Sequence, residues 1–343
     1  MPISRQKSAI NPITENDHEE LFEVTLRPQT FGEYVGQSQI KKNLHVFISG
    51  AKNRKEPLEH ILLYGPAGLG KTTLANIISK EMGANLRITS GPAIEKPGDL
   101  AALLTNLEKG DVLFIDEIHR LKTTVEEILY SAMEDFMLDL MVGKGPGAKS
   151  MRLSLAPFTL IGATTKTGSL SAPLRDRFGS IHKLEFYTPQ EIEQILERNS
   201  RILACEIEPE AKKFLSLSAR ATPRVANRLL KRVRDFAHME GATGISTELA
   251  KKALEHLGID QKGLDETDRQ LLKIIIEKFS GGPVGLSTLA AAMAEDKETI
   301  EEIYEPFLIQ LGFLQRRPKG RTATPHAFQH LGITIAGEKL GLF

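Results

Sequence analysis

Cysteine is nearly missing: Cys205 is the one example among 343 residues. That count excludes an internal disulfide and any four-cysteine zinc site, and it suits a reducing compartment such as the cytoplasm. Cys205 itself reads as a small buried apolar residue. An excess of charge of either sign is missing too, since 44 basic side chains face 44 acidic ones. No global field therefore draws the chain to a polyanion, and any nucleic-acid contact must come from a local patch. No apolar run is long enough to cross a bilayer, and no leader peptide is recognisable. Repeats and low-complexity tracts are absent as well. What remains is a chain with 41% hydrophobic residues, enough for real cores, and a length that fits two or three domains. Residues 1–24 are polar and mixed in charge, and read as a loose extension.

The most informative stretch is Gly65-Pro66-Ala67-Gly68-Leu69-Gly70-Lys71-Thr72. It follows the apolar run Ile61-Leu62-Leu63-Tyr64 and precedes the helix-like Thr73-Leu74-Ala75-Asn76-Ile77-Ile78. Strand, glycine loop, lysine, hydroxyl and helix is the order a P-loop requires. Glycines Gly65, Gly68 and Gly70 let backbone N–H groups turn inward around phosphate oxygens. Lys71 places a point charge at the β/γ phosphates, and the Thr72 hydroxyl suits Mg²⁺.

Strand-like and helix-like runs alternate through the first half. Helical character surrounds Gln39–Ser49; Asn85–Thr89 reads as a strand and Asp99–Leu107 as a helix. Asp111–Asp116 reads as a buried strand, Thr123–Asp135 as a helix and Thr159–Thr164 as a further strand. This alternation predicts an α/β domain with a parallel sheet. Within it, Leu138–Leu155 has turn residues at its middle and apolar pairs on both sides, the pattern of a projecting β-hairpin. After Tyr187 the pattern becomes helical: a capping box at Thr188-Pro189-Gln190-Glu191, then Glu208–Ser218, Pro223–Ala237 and Thr247–Leu257. Gly258–Gly263 reads as a linker. Three helices (Asp265–Ser280, Ser287–Ala294, Lys297–Leu311) and a hairpin turning at Arg316–Arg321 then predict a winged helix. The expected division is 1–187, 188–258 and 261–343.

The chemistry gathers at strand ends. Val112-Leu113-Phe114-Ile115 delivers Asp116 to hold Mg²⁺ and Glu117 to orient and polarise the attacking water. Thr164 ends an apolar strand expected beside that of Asp116, where it would sense the γ-phosphate or position water. Pro173-Leu174-Arg175-Asp176-Arg177-Phe178 puts two arginines at the end of the α/β domain, where one supplied across a subunit boundary would stabilise transition-state charge, although arginines are also common on helix surfaces. Arg224, in the first turn of a helix, would reach back over the phosphates. Arg316, Arg317, Lys319 and Arg321 form a basic turn with no acid between Gly312 and His330, beside a strongly acidic segment, Glu295–Glu305. Such a turn suits backbone phosphates and binding indifferent to base sequence.

In this order the pieces resemble an AAA+ ATPase, and more narrowly the bacterial Holliday-junction branch-migration motors. The resemblance runs from Leu26 to Leu331. The residues that carry it include Leu26-Arg27-Pro28, Tyr34-Val35-Gly36-Gln37, Gly65–Thr72, Asp116-Glu117-Ile118-His119-Arg120, Val142-Gly143-Lys144-Gly145-Pro146, Phe158–Thr165, Pro173–Gly179, Gly281-Gly282-Pro283-Val284-Gly285-Leu286 and Gly312–Arg321. Many ATPases share the P-loop and acid pair; the hairpin, Leu174-Arg175-Asp176-Arg177-Phe178-Gly179 and the Gly281–Leu286 wing domain together are specific to this family. It implies an ATP- and Mg²⁺-dependent motor, a hexameric ring around duplex DNA. It also implies a junction-binding partner protein docked on the Leu138–Leu155 hairpin, and association with a junction resolvase. By the same resemblance Leu26, Arg27 and Tyr187 would line the adenine and ribose. Gly68, Lys71, Thr72 and Thr73 would hold phosphate and metal. Glu134, Asp135 and Phe136 would add nucleotide contacts from a neighbouring subunit. Thr164 would be sensor 1, Arg177 the trans arginine finger, Arg224 sensor 2, and Arg316 and Arg321 DNA contacts. Three other readings compete. A clamp loader would carry a collar domain in place of a basic wing, and a nucleotide-switched DNA-binding regulator would not need Glu117 with a trans arginine. A DExH helicase would need a second sheet domain after the acid box.

Overall fold

The computed structural model describes residues 24–142 and 149–334. The tail expected to be loose lies outside the described residues but for Val24, and so does the turn 143–147 of the expected hairpin. Seven strands form the first part of the chain: β1 Ile61–Tyr64, β2 Leu86–Ser90, β3 Val112–Asp116, β4 Met137–Val142, β5 Lys149–Ser154, β6 Thr159–Thr164 and β7 Ser180–Lys183. Strands β4 and β5 pair antiparallel with each other, apart from the parallel sheet. The other five form a parallel sheet in the order β2-β3-β6-β1-β7. Helices on both faces bury β3 except for Asp116 at its end, and β6 over its whole length, which explains their unbroken apolar runs. Strand β7 was not foreseen. It is a four-residue edge strand with only His182 buried, so it carries no periodic signal.

Register sets the site. Tyr64 of β1 lies opposite Thr164 of β6, and β6 also pairs with β3, which ends at Asp116. The P-loop, Asp116 and Thr164 therefore leave the sheet at one edge, the carboxyl ends where open α/β sheets bind ligands.

Four helices follow: Pro189–Ile202, Pro209–Ser218, Pro223–Met239 and Thr247–His256. The first opens on the expected capping box, in which Glu191 N donates to Thr188 Oγ1 at 3.2 Å and Thr188 N donates to Glu191 Oε2 at 2.8 Å. A two-residue parallel pairing, Glu206–Ile207 with Gly244–Ile245, ties the bundle together. With this lid in place of a second sheet domain, the DExH reading falls.

The C-terminal head has its own core, including Leu271, Leu272, Ile275, Leu308 and Leu314. Its helices are Glu266–Lys273, continued as a wider turn over Ile274–Lys278, then Leu286–Met293, then the segment from Lys297 to Gln310. Strands Leu314–Arg317 and Gly320–Ala323 form the wing. A final helix, Pro325–Leu331, was not read from the sequence.

The head is fastened at two places of unequal strength. Toward the lid, Arg220 pairs with fully buried Asp268 and with Asp265 at 3.1 Å, donates to the Gly263 carbonyl, and lies 4.9 Å over the Phe307 ring. Breaking a buried pair of this kind costs about 3–5 kcal/mol. Toward the large domain, Lys166 Nζ reaches Glu302 at 2.5 Å and Glu298 at 3.7 Å. Lys166 and Glu302 are each about one-quarter exposed, and contacts this wet are worth about 0.2–1 kcal/mol.

Candidate active site

The P-loop helix Lys71–Met82 starts at Gly70 with no capping side chain, so its first N–H groups stay available to an anion. Two glycines are required by geometry. Gly68 has φ +78° and sits against Arg224, whose Cβ would be 3.2 Å from a side chain there. Gly70 has φ +95° and sits against the Tyr34 hydroxyl. Tyr34 and Tyr187 both donate to the Leu69 carbonyl, at 3.3 and 3.2 Å, and so pin the loop from behind. Burial pushes the Tyr187 phenol up to about 12, which keeps it a neutral donor.

Lys71 is buried and donates to the carbonyls of Gly65 and Pro66 at 2.8 and 2.9 Å. Burial lowers its pKa to about 8, against the opposing pull of Asp116 and Glu302. A bound polyphosphate adds negative charge beside the ammonium and raises that pKa again. Nucleotide binding will therefore take up about half a proton at pH 8 and almost none at pH 6.5. Titration calorimetry in buffers of different ionisation enthalpy measures the uptake; equal uptake at both pH values would contradict the assignment.

Asp116 ends β3, and its Oδ1 accepts from Glu117 N at 2.9 Å. Glu117 sits in the left-handed region at φ +48°, a strained conformation that aims its carboxylate off the strand line. Arg120 holds that carboxylate at 3.0 Å. Thr164 is buried; its Oγ1 accepts from Lys166 N at 2.9 Å and lies 3.0 Å from His119 Nδ1.

These groups surround a cavity of about 410 Å³ between the large domain and the lid. Leu26, Arg27, Gly68, Gly70, Lys71, Thr72, Thr73, Asp116, Glu117, Tyr187 and Arg224 all line it. Arg224 N also donates to the Gly68 carbonyl at 3.4 Å, so the lid touches the P-loop directly. Thr164 does not line the cavity, whereas its neighbour Thr165 does.

Four expected residues lie elsewhere. Arg177 donates to Glu134 Oε2 at 3.0 Å and to the Pro173 carbonyl at 2.7 Å, with its guanidinium 4.6 Å over the Tyr130 ring. Phe136 packs edge-on against Phe158, and Asp135 caps the preceding helix. None of these four lines the same chain's cavity.

The wing differs from expectation in its charge balance. Arg316 and Arg321 lie directly opposite each other across the hairpin, which would be repulsive if they stood alone. Fully buried Glu305 resolves this by pairing with Arg316 at 2.6 Å and Arg321 at 2.5 Å, and Glu301 adds contacts of 3.2 and 3.8 Å. The acidic segment is thus not merely a neighbour of the basic turn. It folds against the turn and pairs with two of its arginines, of which Arg316 stays about half exposed, while exposed Arg317 and Lys319 lie outside that cluster.

Family models cover nearly all of the described chain. Residues 26–184 match the Holliday junction DNA helicase RuvB P-loop domain, 187–260 the RuvB AAA lid domain, and 261–332 the RuvB C-terminal winged helix domain. The chain belongs to the RuvB family. It is similar to the Thermotoga maritima RuvB Holliday junction branch migration motor, with 49% identity and a TM-score of 0.83 over 90% of this chain and 99% of that one. A point variant of Thermotoga RuvB matches at 50% identity and TM-score 0.84, covering 90% and 98%. An Aeropyrum pernix ORC2 structure, at 16% identity and TM-score 0.52 over 86% and 92%, shares the fold alone. The RuvB fold thus unites an AAA+ nucleotide pocket with a winged head, and the clamp-loader and regulator readings give way to it.

In this RuvB-family pocket several lining residues were missed in the sequence. Arg198 ties the N-terminal segment to the lid, donating to the Leu26 carbonyl at 2.9 Å and to Glu33 at 2.8 Å. Buried Asn199 donates to Asn227 at 2.6 Å. One signal was present: Asn199 continues the buried stripe Ile192–Leu196 of its helix, and a polar residue on a buried face marks a site.

Proposed function

We propose that this chain is an ATP-driven motor for Holliday-junction branch migration in recombination and DNA repair, working as a ring, hexameric in number. The observation that carries the reading is the cavity where P-loop, acid pair and lid arginine meet, joined through the lid to a winged head that carries a basic turn. The donors fit Mg·ATP. Thr72 and Asp116 offer hard hydroxyl and carboxylate oxygens to Mg²⁺ on the side of the P-loop lysine. When bound, Mg²⁺ neutralises charge on the phosphates. Lys71 and the Gly68–Thr73 backbone hold the phosphate chain, with Leu26, Arg27 and Tyr187 on the adenine and ribose side. Glu117 orients the attacking water, and Thr164, steadied by His119, reads the terminal phosphate through the end of β6.

Arg224 links the lid to phosphate state. Arg177, with Glu134, Asp135 and Phe136 beside it, serves the pocket of the next subunit. A RuvA-type junction-binding protein docks on the β4–β5 hairpin, and a RuvC-type resolvase joins the assembly. The work is cytoplasmic; among the described residues no helix is long and apolar enough to cross a membrane.

A synthetic four-way junction with labelled arms tests the reading. ATP-dependent arm exchange, stimulated by the junction-binding partner, is expected; ATP hydrolysis with no exchange under either condition would refute the motor.

DNA contact is assigned to Arg316 and Arg321, with Arg317 and Lys319 beside them. Because buried Glu305 depends on Arg316 and Arg321, replacing both by alanine will destabilise the head by about 3–5 kcal/mol. Replacing Arg317 and Lys319 by alanine will leave the melting temperature alone. It will weaken duplex binding equally for all sequences and reduce the slope of log K against log salt by about 2. A full salt slope in that double variant would remove the turn from the interface.

A further inference from the structure

The head segment running from Lys297 to Gln310 presents its acids to two machines at once. Glu302 accepts a hydrogen bond from Thr165 Oγ1 at 3.3 Å and pairs with Lys166 at 2.5 Å. Thr165 lines the nucleotide cavity with Asp116 and Glu117, and Lys166 N holds the Thr164 hydroxyl. A carboxylate from the head therefore grips the end of β6, at the place where the terminal phosphate is read. From the same short stretch, Glu301 and Glu305 hold the wing arginines. One segment thus touches both the end of β6 and the basic turn.

Seated there, Glu302 occupies the Thr165 hydroxyl and the Lys166 ammonium, and puts an anion close to where a polyphosphate must place its own charge. The two fastenings of the head differ in strength, because the Arg220–Asp268 joint to the lid is buried and the Glu302 contact is partly wet. If the head shifts against the large domain, the Glu302 contact gives way first.

We propose that Glu302 is the tongue of a latch: seated on Thr165 and Lys166 it keeps the pocket in a low-turnover arrangement, and its withdrawal when the head engages duplex releases the end of β6. Glu302 is a positioning residue, since it acts through Thr165 and Lys166. The inference rests on the cavity being the ATP site. The coupling is reciprocal, so a nucleotide that draws Lys166 from Glu302 also loosens the head for DNA.

The test uses the full chain and its Glu302→Gln and Glu302→Ala variants, with Glu298→Gln for comparison. ATP turnover is measured against ATP concentration, with and without duplex, alongside thermal melting. In the Glu302 variants DNA-free turnover is expected to rise about fivefold, with a lower KM for ATP and a stimulation by duplex reduced by the same factor. Glu298→Gln, whose contact is longer and more exposed, should move each quantity less. A role in stability alone would shift the melting curve and leave KM and the stimulation ratio in place, and that result overturns the latch. So would unchanged or reduced DNA-free turnover in both Glu302 variants. A parent protein without ATP turnover would instead overturn the ATPase reading itself.

Discussion

Replacing Arg177 by alanine will leave ATP binding within about twofold and reduce turnover by about 10³-fold or more, the range measured when an arginine finger is removed. The reason lies in where the side chain sits. Arg177 is held by Glu134, the Pro173 carbonyl and the Tyr130 ring, and it does not line its own chain's cavity. Its Nε is buried without a partner. A cation fixed this firmly is positioned in advance for a ligand arriving from outside, and fixed donors stabilise developing charge with little reorganisation. Fluorescent-nucleotide titration measures the binding, and steady-state phosphate release measures the turnover. Turnover within tenfold of the parent would mean that the finger is not shared between subunits.

Glu117→Gln should be nearly as severe for a different reason. The amide keeps the shape and the left-handed backbone but cannot polarise water as a base. Turnover should fall by about 10²–10⁴-fold while nucleotide still binds. Each variant alone is therefore inactive, yet their defects lie on opposite sides of a seam. In an equal mixture about a quarter of randomly formed seams join an intact Glu117 to a neighbour's intact Arg177. Phosphate release should reappear on mixing and grow with exchange of subunits. If mixing restores nothing although mixed oligomers form, the pocket is completed within one chain.

The nucleotide pocket was the most legible part. Glycines at 65, 68 and 70, Lys71, the apolar run into Asp116 and the run into Thr164 are local patterns, and local patterns survive in a one-dimensional string. The lid was legible for the same reason, since Thr188, Pro189 and Glu191 announce a helix start through contacts three residues apart. Strand β7 and the helix Pro325–Leu331 were not, because each is short and has a single fully buried residue, His182 and Ala327, too few to show a period. Arg198, Asn199 and Asn227 enter the pocket from helices more than 100 residues beyond the P-loop, and nothing near them in sequence says so.

The wing shows the boundary most clearly. Four basic residues between 316 and 321 and a run of acids between 295 and 305 are both plain in the sequence, and composition alone treats them as separate patches. Folding brings Glu305 beneath Arg316 and Arg321 because a buried carboxylate needs opposite charge, and two facing arginines need an anion between them. The same segment then turns Glu302 toward Thr165 and Lys166, 137 residues away for the hydrogen bond. Residue order carries the chemistry of phosphate binding, since a P-loop is built from consecutive backbone groups. Which charges stay free, and which domain touches the end of β6, depends on packing between segments far apart in the chain, and only the folded molecule decides it.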